Sequence, residues 1–227
     1  IEPGGLLTAR ICVLDDISRA PGEALNVLLR ILNERRFGDR PIPLRLAIAT
    51  GNPMDDEYYN EPLDPANLDR FALQLRVEGI LQSRDRRAAR ELSDRFASGE
   101  VEEQPRPDPV VEAATLDELH ERMTGVRIDD AVKDALLEVL RVLVEEEGCD
   151  ESNSLLTDRS FLVKAVKLLR GRALLEGREQ VLPRDLEVLE WMTTFRVPNE
   201  VHLRLPAILR RVISRYAPAP DEIEALS

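Results

Sequence analysis

Four apolar residues, Ile11-Cys12-Val13-Leu14, run directly into two acids, Asp15-Asp16, and this junction constrains the chain more than any other feature. A short, continuously apolar run of this kind predicts a strand buried on both faces, the habit of parallel sheets rather than of one-sided antiparallel ones. A carboxylate at the C-terminal end of such a strand sits where open α/β sheets bind ligands. Two adjacent acids there can divide the work: one orients Mg²⁺ and its waters, and the other polarises an attacking water. Acids also end strands simply because the solvent edge is near, so the junction needs support from the rest of the chain.

The flanking pattern supplies a fold class. Arg19-Ala20-Pro21 leads into a predicted helix whose apolar positions Ala24, Val27, Leu28, Ile31 and Leu32 recur at helical spacing. Phe37 to Pro43 is a turn-rich excursion with Gly38 and two prolines. Leu44 to Ala49 reads as a second strand, stopped by Thr50-Gly51-Asn52-Pro53. Pro65 to Phe71 reads as a short helix and Leu73 to Val77 as a third strand. Residues 1–80 therefore alternate strand and helix, the pattern of an α/β layer fold. Residues 81–227 differ. Ser83 to Phe96 is a charged helix, 98–109 is a proline-rich loop, and helical patterns follow at 115–124, 128–147, 157–176, 183–195 and 200–216. Pro183 suits a first helical turn, and Thr157 suits an N-cap with Asp158 behind it. The division expected is an α/β core over 1–80 and an all-helical domain over 81–227.

Composition narrows the partners. Aromatics make up only 4% of the 227 residues, so the core rests on Leu, Val, Ile and Ala, a helix-leaning set. The formal net charge of -12 opposes binding to nucleic acid or an anionic membrane. The two cysteines, Cys12 and Cys149, form no disulfide framework or zinc spacing, and Cys12 reads as a small buried hydrophobe. No transmembrane run or signal peptide is visible, so a cytoplasmic setting without membrane insertion is expected. The chain opens Ile1-Glu2-Pro3 without Met and runs almost at once into a strand, which reads as a cut chain. His120 and His202 stand alone, Trp191 reads as a core anchor of the helical domain, and the acid runs Glu100–Glu103 and Glu145–Glu147 read as solvated faces.

Three further positions carry candidate chemistry. Asn52 closes the second strand, and its amide both donates and accepts, so it can hold a water against a γ-phosphate; Gly-Asn-Pro is also an ordinary turn. Arg70, in Leu68-Asp69-Arg70-Phe71, can project to a neighbouring subunit's nucleotide, where such arginines are worth ~10³–10⁵ in rate; a surface salt bridge is the plainer reading. Arg159 lies in the first turn of an amphipathic helix, where a cation opposes the helix dipole and needs a partner: a bound phosphate, or Asp158 or another acid.

Each signal is weak alone, but their order and spacing are specific. Val13-Leu14-Asp15-Asp16-Ile17-Ser18-Arg19-Ala20-Pro21 is similar to the Walker B region of the MoxR family of AAA+ ATPases, usually Leu-Asp-Glu-Ile-Asn-Arg-Ala. Leu32-Asn33-Glu34-Arg35 resembles the end of that family's next helix, Ala49-Thr50-Gly51-Asn52-Pro53 its sensor 1, and Leu68-Asp69-Arg70-Phe71 its arginine-finger helix. Thr157-Asp158-Arg159, followed by Ala173 to Arg178, resembles its sensor 2 helix, especially in the RavA branch. Family-like motifs stretch from Gly5 to Leu189. The resemblance implies the rear part of a P-loop NTPase core with a parallel sheet, followed by an all-helical lid. It implies ATP and Mg²⁺ as cofactors, with Asp15 coordinating the metal and Asp16 activating water. Asn52 would read the γ-phosphate, Arg70 would act in trans and Arg159 in cis. It further implies a ring hexamer that hydrolyses ATP and remodels partner proteins as a chaperone does, often with von Willebrand factor A-type partners and in some members for cofactor or metal insertion.

Three departures from the family pattern stand out. No Gly-Lys pair exists anywhere in the chain, so the phosphate-cradling Walker A loop is absent and this chain alone is expected to be inactive. Asp16 replaces the usual Glu and is one methylene shorter, and a misplacement of ~1 Å can cost ~10²-fold. Ser18 stands where Asn is usual. Two other readings stay open: an AAA+ motor subunit acting on DNA, which the acidic charge disfavours, and a non-catalytic helical interaction module.

Overall fold

The computed structural model describes residues 4–51, 68–80, 85–99, 111–156 and 158–217. The chain divides into two compact units, Ile1–Ala72 and Leu73–Ser227.

The first unit is built on the strand that ends in the two acids. β1 (Ile11–Leu14) is followed by a 3₁₀ turn at Ile17–Arg19 and by helix α1 (Gly22–Glu34). The short strands β2 (Arg36–Phe37) and β3 (Arg40–Pro41) form an antiparallel hairpin turned at Gly38, whose φ of 59° suits a residue without Cβ. β4 (Leu46–Ala49) then returns beside β1 in parallel, in the register Ile11↔Leu46 to Leu14↔Ala49. The turn-rich excursion expected at Phe37 to Pro43 is this hairpin. α1 exists because Leu25 and Leu32 fall on one face, and they bury with Ile17 and Leu44 against Cys12, Leu14, Ala47, Ala49 and Phe71. Arg35 closes the helix in the left-handed conformation, φ 55°, and its guanidinium reaches back to the Leu44 carbonyl at 3.2 Å. Burial and the neighbouring charge of Arg45 hold the Arg35 pKa below its ordinary value.

The expectation of a strand buried on both faces is corrected. Cys12, Leu14, Ala47 and Ala49 face the core, but Ile11, Val13, Leu46 and Ile48 are 46–64% exposed. Alternate residues of a strand point to opposite faces, and among the described residues only the α1 side is covered. Cys12 is accordingly half-buried rather than buried.

The second unit is helical: α2 (Arg86–Ala97), α3 (Ala113–Gly125), α4 (Asp130–Arg141) running into a wider π turn at Val142–Glu146, α5 (Asp158–Leu175), a 3₁₀ turn at Pro183–Val188, α6 (Leu189–Thr193) and α7 (Asn199–Tyr216). Each core helix buries a stripe at helical spacing. In α4 these are Val132, Ala135, Leu136 and Val139; in α5 Phe161, Ala165, Leu169 and Ala173; in α7 Val201, Leu205, Ile208, Leu209 and Val212. Asp85 caps α2 by accepting the Ala88 amide at 2.9 Å. Gly177, φ 73°, ends α5 in a Schellman turn: Gly177 N–H reaches the Leu174 carbonyl at 3.0 Å and Arg178 N–H that of Ala173 at 2.9 Å. Pro183 opens its turn, as expected of a residue lacking an N–H.

Three further expectations change. Leu73 to Val77 is not a strand. Among the described residues it pairs with no strand. Instead the Gln74 amide donates to the Trp191 carbonyl at 2.9 Å, the buried Gln74 side chain accepts from Phe195 N–H at 3.3 Å, and Arg76 stacks over the Phe195 ring at 5.5 Å. Trp191 is not a core anchor: its side is 46% exposed, while Leu189 and Met192 beside it are buried and carry the packing. The Glu145–Glu147 run is not merely solvated. Glu145 and Glu146 pair with Arg141 at 3.0 and 2.8 Å, Glu146 also with Arg211 at 2.7 Å, and Glu147 with Arg204. Glu138 joins Arg141 and Arg215, so α4 and α7 are laced by alternating charges.

Candidate functional site

Parallel pairing of β1 with β4 sets Leu14 beside Ala49, and one step further along each strand sets Asp15 beside Thr50. The two chains stay joined past the strand ends. Thr50 N–H donates to the Leu14 carbonyl and Ile17 N–H to the Thr50 carbonyl, both at 2.9 Å. Between these backbone bonds the Thr50 hydroxyl donates to Asp15 Oδ1 at 2.6 Å and accepts the Asp16 N–H at 2.9 Å. The first of these has the length of a charge-assisted O–H···O⁻ bond.

Asp16 occupies the left-handed region, φ 52° and ψ 51°, an uncommon conformation for a residue with Cβ. Such strain persists where the surroundings over-determine it and concentrates at functional sites. Here the Thr50 hydroxyl and carbonyl clamp the turn from both sides of Asp16, accepting its own N–H and that of Ile17. The Asp16 carboxylate is itself engaged: Ser18 Oγ donates to Oδ1 at 2.9 Å, and Arg19 Nε lies 2.8 Å from Oδ2. Ser18 is buried, and a Cβ on Gly51 would meet its hydroxyl at 3.8 Å. Asp15 is exposed and Asp16 half-buried, so the outer acid faces solvent and the inner one is held by the protein.

The chemistry of this donor set fits a Mg²⁺-nucleotide better than a protein-only metal cage. Among the described residues no group of three or more His, Cys, Asp or Glu converges. Mg²⁺ is commonly held by one or two carboxylates, the remaining positions going to water and substrate phosphates. An exposed Asp15 with one oxygen pinned by a hydroxyl leaves the other oxygen for that role.

The other candidates are distributed as follows. Asn52 lies outside the described residues, two positions beyond Thr50 on the chain leaving β4. Arg70 is exposed and is fixed at its root by Phe71, which packs into the core of the first unit and whose N–H bonds the Leu68 carbonyl at 3.1 Å. Arg159 is exposed in the first turn of α5; Thr157, expected to cap that helix, lies outside the described residues. The structure thus brings Asp15 and Asp16 together with Thr50, Ser18 and Arg19. Sequence reasoning named Thr50 only as part of a turn. The missed signal was register: once β1 and β4 are taken as parallel neighbours, Thr50 falls opposite Asp15.

Comparison with known proteins bears on the fold that carries these residues. Residues 3–71 match the family described as AAA domain (dynein-related subfamily), and residues 132–201 match the AAA lid domain. The uncharacterized protein MJ0812 of Methanocaldococcus jannaschii is 32% identical over 190 residues, which cover 82% of this chain and 45% of that protein. The uncharacterized protein YeaC of Bacillus subtilis is 25% identical over 227 residues, covering 94% of this chain and 66% of that protein. A solved structure from Cytophaga hutchinsonii, provisionally described as an ATPase, superimposes with a TM-score of 0.65 at 19% identity over 92% of this chain and 66% of that one. The chain therefore spans less than half of the archaeal relative's length. It carries an AAA+ ATPase-type domain: a parallel-sheet core segment followed by a helical lid. Among the described residues no helix is long and apolar enough to cross a membrane.

Proposed function

We propose that this chain is the Walker B-to-lid portion of a MoxR-type AAA+ ATPase of the RavA-like branch, with the core over 1–80 and the lid over 81–227. Its role is to couple ATP hydrolysis to the remodelling of partner proteins. The observation that carries the reading is the Thr50 hydroxyl bridge, which joins both acids to the strand that leads to Asn52. A solvent-edge pair of acids has no need of a dedicated hydroxyl and a left-handed residue to hold it.

On this reading Asp15 would hold Mg²⁺ together with the nucleotide, and the ion, when bound, would supply charge neutralisation to the phosphates. Thr50 holds one Asp15 oxygen and leaves the other for that role. Asp16 accepts a proton from the attacking water, once its carboxylate has turned from Arg19. Asn52 orients that water, Arg159 contacts the nucleotide of its own subunit, and Arg70 completes a neighbour's site. The last role requires self-association, and a ring hexamer is the assembly proposed. The phosphate-cradling loop has to come from outside this sequence, which contains no Gly-Lys pair. A von Willebrand factor A-type partner, a role in cofactor or metal insertion and a cytoplasmic setting are part of the same proposal.

The test is Mg²⁺-dependent ATP turnover by the whole protein. Asp15→Asn and Asp16→Asn should abolish turnover. Arg70→Ala should lower it by ~10³-fold or more while nucleotide binding survives. Unchanged turnover in both acid variants would remove the reading. Loss of binding in Arg70→Ala with an intact assembly would place Arg70 in cis. Salt-dependent DNA binding by the whole protein would favour the DNA-motor alternative.

A further inference from the structure

We infer that Thr50 is a positioning residue for both acids: its hydroxyl fixes which Asp15 oxygen is offered to a divalent cation and holds the strained turn that presents Asp16. This rests on the proposed role of the acid pair and adds a residue and a mechanism to it.

The direction of the bonds is fixed by chemistry. A threonine hydroxyl has one proton to donate and lone pairs to accept with. An ionised Asp15 can only accept, and a backbone N–H can only donate. The hydroxyl proton is therefore committed to Asp15 Oδ1, at 2.6 Å, and a lone pair receives the Asp16 N–H, at 2.9 Å. Neither bond can be reversed, so the side chain has one productive orientation. Its β-branch limits χ1 further. The Thr50 backbone is tied on both sides, to the Leu14 carbonyl and to Ile17 N–H. A side chain anchored this way transmits the position of the β4 end to residues 15 and 16 together.

Two consequences follow. With Oδ1 occupied, the Asp15 carboxylate cannot rotate freely, and its second oxygen becomes the metal-facing one. With its N–H accepted, Asp16 can remain at φ 52° without stranding a polar group.

The experiment uses the whole protein with Mn²⁺ and ADP as probes, and reads bound Mn²⁺ by electron paramagnetic resonance. Thr50→Val keeps the shape and removes the hydroxyl. It should weaken Mn²⁺ binding by ~10–100-fold, the usual cost of losing a group that orients a ligand, with ADP affinity in the absence of metal unchanged. Thr50→Ser, which retains the hydroxyl, should restore Mn²⁺ binding, a rescue that a purely steric role would not give. Hydrogen exchange at the Asp16 amide should accelerate in Thr50→Val and recover in Thr50→Ser. If Thr50→Val unfolds, Thr50→Ala and Thr50→Ser carry the same comparison. If Asp15→Asn abolishes Mn²⁺ binding while Thr50→Val and Thr50→Ala leave it unchanged, the inference about Thr50 is wrong and the acid-pair reading stands. If Asp15→Asn itself leaves Mn²⁺ binding unchanged, the reading beneath it fails.

Discussion

The ion pair between Arg178 and Asp185 should be the most sensitive polar contact in the helical unit, and its two halves should fail unequally. The Asp185 side chain is 1% exposed. It takes a two-pronged contact from Arg178, Nη2 to Oδ1 at 2.6 Å and Nη1 to Oδ2 at 2.8 Å, and its Oδ2 also accepts the Leu182 N–H at 2.8 Å. The hydrogen bonds that Arg178 donates to Asp185 are the main cause holding the Arg178 pKa above its ordinary value. Arg178 is placed for this by the Gly177 turn that ends α5. Arg178→Met leaves a buried carboxylate with one amide for company, and breaking a buried pair this way costs about 3–5 kcal/mol. For a domain of this size each kcal/mol moves the melting point by roughly 2–4 °C, so the expected loss is about 6–20 °C. Asp185→Asn keeps the Leu182 contact and leaves a cation that is 19% exposed and still bonded to Glu176 at 2.9 Å. Its cost should be smaller, about 1–2 kcal/mol. The double variant Arg178→Met with Asp185→Leu removes both charges and should be more stable than Arg178→Met alone, because no charge is left buried. Thermal denaturation followed by circular dichroism, with urea titration for the free energies, measures all three. A loss below about 1 kcal/mol in Arg178→Met, or a double variant less stable than that single one, would refute the reasoning.

Three other outcomes can be checked with the same preparations. His202, pressed by burial and bonded to the Thr193 hydroxyl at 3.3 Å, has its pKa lowered below 6.5, with Glu190 opposing and Arg76 reinforcing the shift. Its unfolded form therefore binds more protons, so stability should fall as pH drops below about 6.5 towards the folded pKa; His202→Gln should flatten that slope in pH-dependent melting. Cys149 is buried and its thiol is pushed up chiefly by that burial, so a thiol reagent at neutral pH should label Cys12 in the folded chain and reach Cys149 only on unfolding; mass spectrometry of the labelled peptides decides. Gln74→Ala should cost about 1–3 kcal/mol, by stranding the Phe195 amide and vacating a buried position, and should speed hydrogen exchange at Phe195; a surface-like loss within about 0.5 kcal/mol would contradict the strap seen between 74–76 and the α6–α7 elbow.

How far the sequence could be read depended on whether the information was local. The helices of the second unit were legible because spacing alone writes them: the α5 stripe Phe161, Ala165, Leu169 and Ala173 can be traced without any partner. The strand β1 and its acids were legible for the same reason. What escaped was set by partners. Leu73 to Val77 has a strand's composition, but the docking of Gln74 on Trp191 and Phe195 claims it instead. Trp191 looked like an anchor by size, yet the helix phase of Leu189 and Met192 turns its ring outward. Thr50 was invisible as a functional residue because its role exists only in the β1–β4 register, between residues 34 and 35 positions apart.

The shortened acid at position 16 is where sequence and structure bear on each other most closely. By length alone Asp in place of Glu withdraws the carboxylate by about one methylene, enough to cost ~10²-fold if nothing compensates. The backbone is not standing still, however: Asp16 is in the left-handed conformation, clamped by Thr50, and Ser18 steadies one carboxylate oxygen. Arg19 takes the other oxygen, but its side chain is 68% exposed. An exposed pair of this kind is worth only ~0–1 kcal/mol, so Arg19 restrains Asp16 without locking it. The reach of Asp16 is then decided by the turn rather than by the side chain. On the proposed reading this predicts an inversion of the usual expectation: Asp16→Glu, which installs the residue usual in the MoxR pattern that this segment resembles, should not raise ATP turnover of the whole protein, because a longer side chain on this turn overshoots the place that the Thr50 clamp has set. A tenfold or greater gain in turnover from Asp16→Glu, about 1.4 kcal/mol of barrier, would show instead that the turn compensates for nothing and that side-chain length alone limits the site.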